Sequence, residues 1–319
     1  MMRYLTLLST VIALTTGAAA AEPLSFGTAR AGSSTYSMGL AITKFANKRF
    51  GLDLRVVPQK AVTQALPLVD SGETNFGVAS AIELSLARSG SGLFKSNKME
   101  NLVAVGTLFP FKIAPVVKRD VAADTLAGTK GMRYPYGLHS TSTGEMIWTS
   151  MIEAAGMTYD DVKKVPVATF TDVRKAMVAG RTDVAQMVVG SAKFEEMERK
   201  VGPLKLLSID RTEKTDAVVQ SHNAALRITT VKGDLKKHGR ATDFNVLEYD
   251  YMLYTNRNTP DDLVRKLAAS LAEGAADMAK SFPAFNNMKR SNLAAPVGLP
   301  YHPAARAYYT ENAIEVPAE

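Results

Sequence analysis

The 319-residue chain contains no cysteine and only four histidines. The missing cysteines exclude a disulfide framework, a thiolate metal site and a thiol nucleophile. The histidines stand at no spacing typical of metal ligands, so we expect neither a metal nor a cofactor. The sequence also lacks the motifs of serine hydrolases, zinc peptidases, phosphate-binding loops and dinucleotide-binding folds. Because no carboxylate pair stands out either, we expect that the chain is not an enzyme.

Long apolar runs are scarce, and the main one lies at the start of the chain. Arg3 precedes an apolar stretch from Leu5 to about Thr15, and small residues then continue to Ala21. This order is typical of a secretory signal peptide, cleaved after Ala21 and too short to span a bilayer permanently. The pattern predicts a leader over residues 1–21 and a soluble, exported, periplasmic chain over 22–319.

Charge of one sign is not concentrated anywhere in the sequence. The formal net charge is +7, but lysine and arginine alternate with aspartate and glutamate, and no basic run is interleaved with aromatic residues. We therefore expect no nucleic-acid partner. A mildly positive surface is consistent with faster capture of anions, although it is equally typical of an ordinary solvated surface.

The sequence contains two similar halves. In the first, short strands at LSFGTA, LDLRVVPQ and NFGVAS alternate with a helix capped by Thr35 and a short helix between Thr63 and Gly72. In the second, strands near Arg133, at VKKVPVA and at VAQMVV alternate with a helix opened by a Ser142–Glu145 capping box and a short one between Thr171 and Gly180. Each half predicts a β-α-β-α-β unit with a parallel sheet, hence an α/β fold.

The remaining segments predict how the two halves connect. An apolar strand begins at Phe111, an alternating strand begins at Val246, and a long amphipathic helix follows Thr259-Pro260. We expect the chain to cross between two Rossmann-like lobes twice, so that a two-strand hinge joins them and a ligand cleft lies between them. The predicted boundaries are 22–112 and 246–319 for lobe 1, and 113–245 for lobe 2.

The predicted cleft receives the N-termini of helices from both lobes. Helix N-termini carry unpaired N–H groups and the positive end of the helix dipole, which favour carboxylate or phosphate. Nearby loop hydroxyls offer further hydrogen bonds: Ser33, Ser34, Thr35, Ser142 and Thr143. The alternative is that these hydroxyls only cap their own helices.

Four cationic or potentially cationic residues lie in the same loops: Arg30, Lys60, Arg133 and His139. A guanidinium can bind a carboxylate through two parallel hydrogen bonds, so we expect Arg30 or Arg133 to be the anchor. The alternative for each is a solvated loop charge.

Other side chains are candidates for the walls of the cleft. Tyr36, Tyr136 and Phe170 are aromatic residues in the predicted loops, although core packing is the alternative for each. Ser80 and Gln186 stand at the ends of the third strands of the two lobes, where side chains face the cleft.

The segment after the leader resembles a known family. It reads FGTARAGSSTYSMGLAITKFAN, and it resembles the opening motif of the TAXI family of solute receptors, which serve TRAP transporters. The likeness continues through DSGETNFGVAS, through LHSTSTGEMIWTSMIEAAGMTYDDVK and into the tail LPYHPAARAYYTENA. The sequence departs from the pattern at Arg30, where small residues are usual, and at Phe111, where glutamate is common.

This resemblance implies a type II periplasmic-binding-protein fold and a monomeric receptor for a small acidic ligand, such as an amino acid like glutamate, a dicarboxylate or a keto acid. The implied partner is a TRAP membrane permease with fused small and large subunits. The family loops correspond here to Gly32, Ser33, Thr35 and Tyr36, and to Ser142, Thr143 and Gly144. Two alternatives stay open: a ligand sensor for a signalling partner, and a secreted enzyme on the same fold.

Overall fold

A computed structural model describes residues 23–95, 97–139, 141 and 143–317. The predicted leader and Ser142 lie outside the described residues. No helix in the described part of the chain is both long and apolar enough to cross a bilayer.

The first part of the chain alternates strands and helices and ends in a long strand. The elements are β1 (Leu24–Thr28), α1 (Ser34–Phe50), β2 (Leu54–Pro58), α2 (Val62–Asp70), β3 (Phe76–Ser80), α3 (Ala81–Ser89) and β4 (Leu102–Lys118). The middle part repeats the alternation with β5 (Arg133–Gly137), α4 (Gly144–Ala154), β6 (Lys163–Val167), α5 (Phe170–Val178), β7 (Ala185–Val188), α6 (Lys193–Val201), β8 (Leu204–Leu206), α7 (Glu213–His222), β9 (Arg227–Val231) and α8 (Leu235–His238). The chain closes with β10 (Phe244–Asn256), α9 (Asp261–Ser281) and α10 (Pro303–Glu311).

The helices lie where the sequence predicts them, but their caps are displaced by a residue or two. Ser33, not Thr35, caps α1 by accepting a hydrogen bond from the Tyr36 N–H, and Thr169, not Thr171, caps α5. Ala61 precedes α2 and gives no side-chain cap, so Thr63 lies inside that helix. The residue before α4 is Thr143, whose side chain makes no cap bond.

The strands form two sheets of very different size. The order of the larger is β2-β1-β3-β10-β4-β7, with β8 paired to β4 and β9 paired to β10. Strands β1, β2 and β3 are parallel, whereas β10 runs antiparallel to both β3 and β4. The smaller sheet contains only β5 and β6, in parallel.

The position of β7 corrects the prediction of a parallel three-stranded sheet in the second half. Strand β7 pairs antiparallel with β4 over Ile113–Val116. Just before β7, the Asp183 and Val184 N–H groups point to the Arg133 carbonyl of β5, at 3.0 and 3.3 Å. The four-residue strand is therefore hydrogen-bonded along the far end of β4 instead of along β5.

This is the type II periplasmic-binding-protein fold, with two lobes joined by the two long strands β4 and β10. Strand β10 pairs with β3 through Tyr251–Thr255 and with β9 through Phe244–Glu248, so it belongs to both lobes. Strand β4 likewise pairs with β10 along most of its length and with β7 and β8 at its end. The residue-level boundaries at 112/113 and 245/246 stay predictions.

Apolar side chains are buried in both lobes, and they form one cluster that continues through β4 and β10. Phe26, Ile42 and Phe76 are fully buried in the first lobe, where α1 packs on α9. In the second, the buried rings of Tyr134 and Trp148 meet edge to face at 5.7 Å. Gly77 permits the close approach of β10, because a Cβ there would lie 2.5 Å from the Tyr254 hydroxyl oxygen.

Candidate ligand site

Two adjoining cavities lie between the lobes. We call the one of about 410 Å³ the first cavity and the one of about 440 Å³ the second cavity, and the two together the cleft. They share five lining residues: Ser33, Ser34, Phe170, Tyr249 and Tyr251. Because these shared residues come from the start of α1, the start of α5 and the crossing strand β10, both lobes contribute to one continuous site.

The start of α1 presents polar groups to the cleft. The Ser33 hydroxyl accepts from the Tyr36 N–H at 3.2 Å and lies 3.2 Å from Thr35 Oγ1. Thr35 Oγ1 in turn accepts from the Ala29 N–H at 3.1 Å, which holds the loop after β1 against the helix. The first N–H groups of a helix have no carbonyl partner in a preceding turn, so this end can bind an anion.

Two predicted cations line the first cavity. Arg30 and Lys60 are both exposed there, and the described residues place no carboxylate within ion-pair distance of either side chain. His139 and Thr143 line the same cavity from the second lobe. The structure thus brings together cations from the loops after β1 and β2 with hydroxyl and imidazole groups from the loop before α4.

An acidic side chain that the sequence analysis missed lies among these groups. Glu83 lines the first cavity and is only 9% exposed. Its Oε2 accepts from the Ser80 N–H at 3.1 Å and from the Ser80 hydroxyl at 2.9 Å, in a capping box that starts α3. The Ser80-x-x-Glu83 spacing is the sequence signal that predicts this pair.

A cluster of aromatic rings forms the floor of the cleft. Tyr249 and Tyr251 are two residues apart on β10, and their ring centroids lie 5.5 and 5.3 Å from that of Phe111 on β4. Burial raises the pKa of both phenols well above its ordinary value, so they remain neutral at physiological pH. Phe170 adds a fourth ring from α5. Of these four rings, sequence reasoning named only Phe170 as a candidate wall, although the alternation of VLEYDYMLYT predicts that Tyr249 and Tyr251 share a face.

The second cavity holds one predicted residue and one that was missed. Gln186, inside β7 and not at its end as predicted, is 6% exposed, and its Oε1 has no hydrogen-bond partner among the residues described. Arg174, on α5, was not predicted; its Nη2 donates to Thr171 Oγ1 at 3.3 Å. Burial lowers the pKa of Arg174, although the arginine stays charged at physiological pH.

Several predicted residues lie elsewhere. Arg133 lines neither cavity, because Asp183 holds its guanidinium through two hydrogen bonds of 3.0 and 2.5 Å. Tyr136 packs edge to face on Tyr159, with ring centroids 5.1 Å apart. Tyr36 also lines neither cavity. Arg133, Tyr136 and Tyr36 therefore lie outside the cleft as these two cavities define it, and their roles in ligand binding stay predictions.

A sequence profile described as the NMT1-like family matches residues 26–312. The chain belongs to the NMT1-like family. A search of curated protein sequences found no significant match. The narrower TAXI assignment is finer than the family match and stays a prediction.

Solved structures similar to this NMT1-like protein include two that are named as binding proteins. The aliphatic sulphonate binding protein SsuA from Escherichia coli is 16% identical with a TM-score of 0.50. The match covers 91% of this chain and 84% of the SsuA chain. A TctC solute binding protein from Polaromonas is 17% identical with a TM-score of 0.53, covering 85% and 88%. MatC from Rhodopseudomonas palustris with bound malate is 16% identical with a TM-score of 0.52, covering 91% and 96%. At these identities the likeness shows the fold.

Proposed function

We propose that this NMT1-like protein is a periplasmic solute receptor, which binds a small organic anion in the cleft and delivers it to a TRAP membrane permease. The observation that carries the proposal is the continuous cleft between the lobes, with Arg30 and Lys60 free of ion pairs to the described residues beside the start of α1. A carboxylate or another oxyanion supplies the missing negative charge.

The binding step follows from the position of the site. A ligand in the cleft contacts α1 of one lobe and α5 of the other at once, whereas it loses half of these contacts when the lobes separate. Such a ligand stabilises the closed arrangement relative to the open one, and β4 and β10 are the strands that bend. The proposed lobes are 22–112 with 246–319, and 113–245.

Two further observations support the proposal, one on the ligand and one on the location. The names of the similar structures describe sulphonate binding in SsuA and bound malate in MatC, and both ligands are organic anions. The predicted leader over residues 1–21 supports a periplasmic location, where a receptor meets its solute before transport.

The experiment is a thermal-shift screen of residues 22–319, unfolded and refolded to remove carried ligand, against amino acids, dicarboxylates, keto acids, sulphonates, phosphate and sugars. A ligand that binds only the folded state at about 100 times its Kd stabilises the protein by about 2.7 kcal/mol, so it raises the melting temperature. We expect a shift with organic anions and no consumption of them. A shift with neutral sugars alone contradicts the proposal.

A further inference from the structure

A cavity of about 560 Å³ lies behind the crossing strands, away from the cleft. Residues 107–110 of β4 form its floor together with Glu248 and Asp250 of β10. Tyr249 and Tyr251, which alternate with these two acidic residues, line the cleft instead. Because successive side chains of a strand point to opposite faces, the cleft and this cavity lie on opposite faces of the same strands.

The side walls of the cavity behind β10 come from different lobes. Arg227 of β9, in the proposed second lobe, forms one wall. The segment 287–296, which follows α9 in the proposed first lobe, forms most of the other wall. A movement of one lobe relative to the other therefore changes the width of this cavity.

Hydrogen bonds hold each wall to the strands of the floor or to its own lobe. The Arg227 guanidinium donates to both carboxylate oxygens of Asp250, at 2.8 and 3.1 Å. In the opposite wall, the Leu293 carbonyl accepts from a backbone N–H of β4 at 2.8 Å, and the Ala295 carbonyl accepts from the Tyr301 hydroxyl at 2.8 Å. Neither wall can yield freely when the lobes move, so the cavity responds to the angle between the lobes.

The position of the cavity determines the direction of this response. Lobes that rotate about β4 and β10 approach each other on one face of these strands and separate on the other face. Opening of the cleft therefore narrows the cavity behind β10, and closure widens it. A group that fills the cavity resists opening, so it increases the fraction of closed molecules and with it the apparent affinity for a ligand of the closed form.

We propose that the cavity behind β10 controls the equilibrium between the open and closed lobes, so that filling it raises the affinity of the cleft for its anion. This inference rests on the proposed function, because it requires that the lobes close on an anion. The unfilled space permits the lobes to open, which a receptor needs in order to release its solute. A side chain or a small molecule in this space acts in the same direction, since both prevent the cavity from narrowing.

Two substitutions in the first-lobe wall fill the cavity. Ala295→Phe adds a ring at a half-buried position, and Ser291→Trp adds one at the exposed rim. The matched control is Ser221→Trp, which changes an exposed serine of α7 that lines neither the cleft nor this cavity. Thermal melts establish that each variant is folded, and Ser291→Trp decides the test if Ala295→Phe does not fold.

Small-angle X-ray scattering and titration calorimetry are the measurements. Without any anion, we expect a smaller radius of gyration for the wall variants than for wild type and Ser221→Trp. With the organic anion that gives wild type its largest thermal shift, the wall variants should bind about tenfold more tightly, because a larger fraction of the molecules is already closed. Ser221→Trp should stay within about twofold of wild type, because its closed fraction is unchanged.

The outcomes separate this inference from the proposed function. If the folded wall variants match Ser221→Trp in both scattering and affinity, the cavity does not control the lobes, while the receptor function stands. If they bind more weakly and have a larger radius of gyration, the proposed direction is wrong. If wild type binds no anion in the screen, the proposed function is contradicted, and the scattering of the anion-free variants still decides whether the cavity controls the lobes.

Discussion

At the residue scale, the carboxylates that the fold places beside a cation decide whether that cation can meet a ligand. Arg133 and Arg174 lie in the same lobe, but Asp183 lies against the first and no carboxylate pairs with the second among the residues described. The Arg133 guanidinium lowers the pKa of the Asp183 carboxyl by hydrogen bonding. Arg133 therefore connects β5 to the residues before β7, whereas Arg174 lines the second cavity and forms no ion pair with the residues described.

This difference predicts that Arg133→Ala changes stability and leaves binding unchanged. The ionised Asp183 carboxylate stabilises the folded protein at pH values above its ordinary pKa of 3.8. This stabilisation is lost as the pH falls through the lower pKa that Asp183 has in the folded protein. The variant should therefore melt below wild type at neutral pH, and the two curves should converge in acid below that folded-state pKa. The anion Kd should stay within about twofold of wild type, because the ion pair lies outside the cleft. A large loss of anion binding would contradict this prediction and would indicate that Arg133 contacts the ligand.

The sequence could predict the site residues whose position depends on strand ends, but not those whose position depends on neighbouring side chains. Arg30, Lys60 and Ser80 follow strand ends, where an α/β fold brings loops together, so position alone predicts that they line the cleft. The positions of Arg174 and Arg133 require knowledge of side-chain neighbours, because the contact with Asp183 holds Arg133 away from the cleft whereas Arg174 lines it. Their ligand-binding roles remain proposals.

At the element scale, β10 uses its two faces differently. Tyr249 and Tyr251 face the cleft, whereas Glu248 and Asp250 face a separate cavity of about 560 Å³ behind the strand. Arg227 of β9 binds both carboxylates there, with Nε 2.7 Å from Glu248 Oε1 and Nη1 2.8 Å from Asp250 Oδ2. Lys112 of β4 lies 3.5 Å from Glu248 Oε2. This network connects three strands where the chain crosses between lobes.

The network predicts a stability cost for Arg227→Ala. Glu248 and Asp250 are buried, so removal of their shared cation leaves two carboxylates close together with little solvent. We expect a loss of about 2 kcal/mol in the free energy of unfolding, below the 3–5 kcal/mol of a fully buried pair because Arg227 is 40% exposed. Denaturant titration measures it.

The matched control is Arg55→Ala on β2, which breaks an exposed ion pair with Asp53, just before that strand, and should leave the unfolding midpoint nearly unchanged. If the two variants unfold alike, the three-strand network does not stabilise the crossing.

The sequence predicted the elements better than their ends and pairings. Apolar patterns located α1, α4, α5 and α9, but the caps of two of these helices differ from the prediction. Ser33 and Thr169 accept the first N–H groups of α1 and α5. The predicted caps bind other partners, because Thr35 accepts from the Ala29 N–H and Thr171 from the Arg174 guanidinium. The pairing of β7 with β4 was missed, since short strands carry little information on their neighbours.

At the scale of the whole molecule, two lobes and two crossing strands follow from the internal repeat and from the long strands at Phe111 and Val246. The sequence therefore predicted the α/β class and the two-lobed fold. It could not predict that the aromatic rings of β4 and β10 form the floor of the cleft, because that arrangement depends on which faces of the crossing strands the lobes leave uncovered.

The central claim is that an organic anion binds in the cleft, and blocking the cleft tests it most directly. Ser34 is an exposed residue that lines both cavities at the start of α1, whereas Gln220 is an exposed residue of α7 that lines neither. The measurement is titration calorimetry of wild type, Ser34→Trp and Gln220→Trp with the anion that gives the largest thermal shift. We predict that wild type and Gln220→Trp bind equally, and that Ser34→Trp binds about 100-fold more weakly because the indole occupies the space of the ligand. Equal binding by all three proteins would contradict the claim.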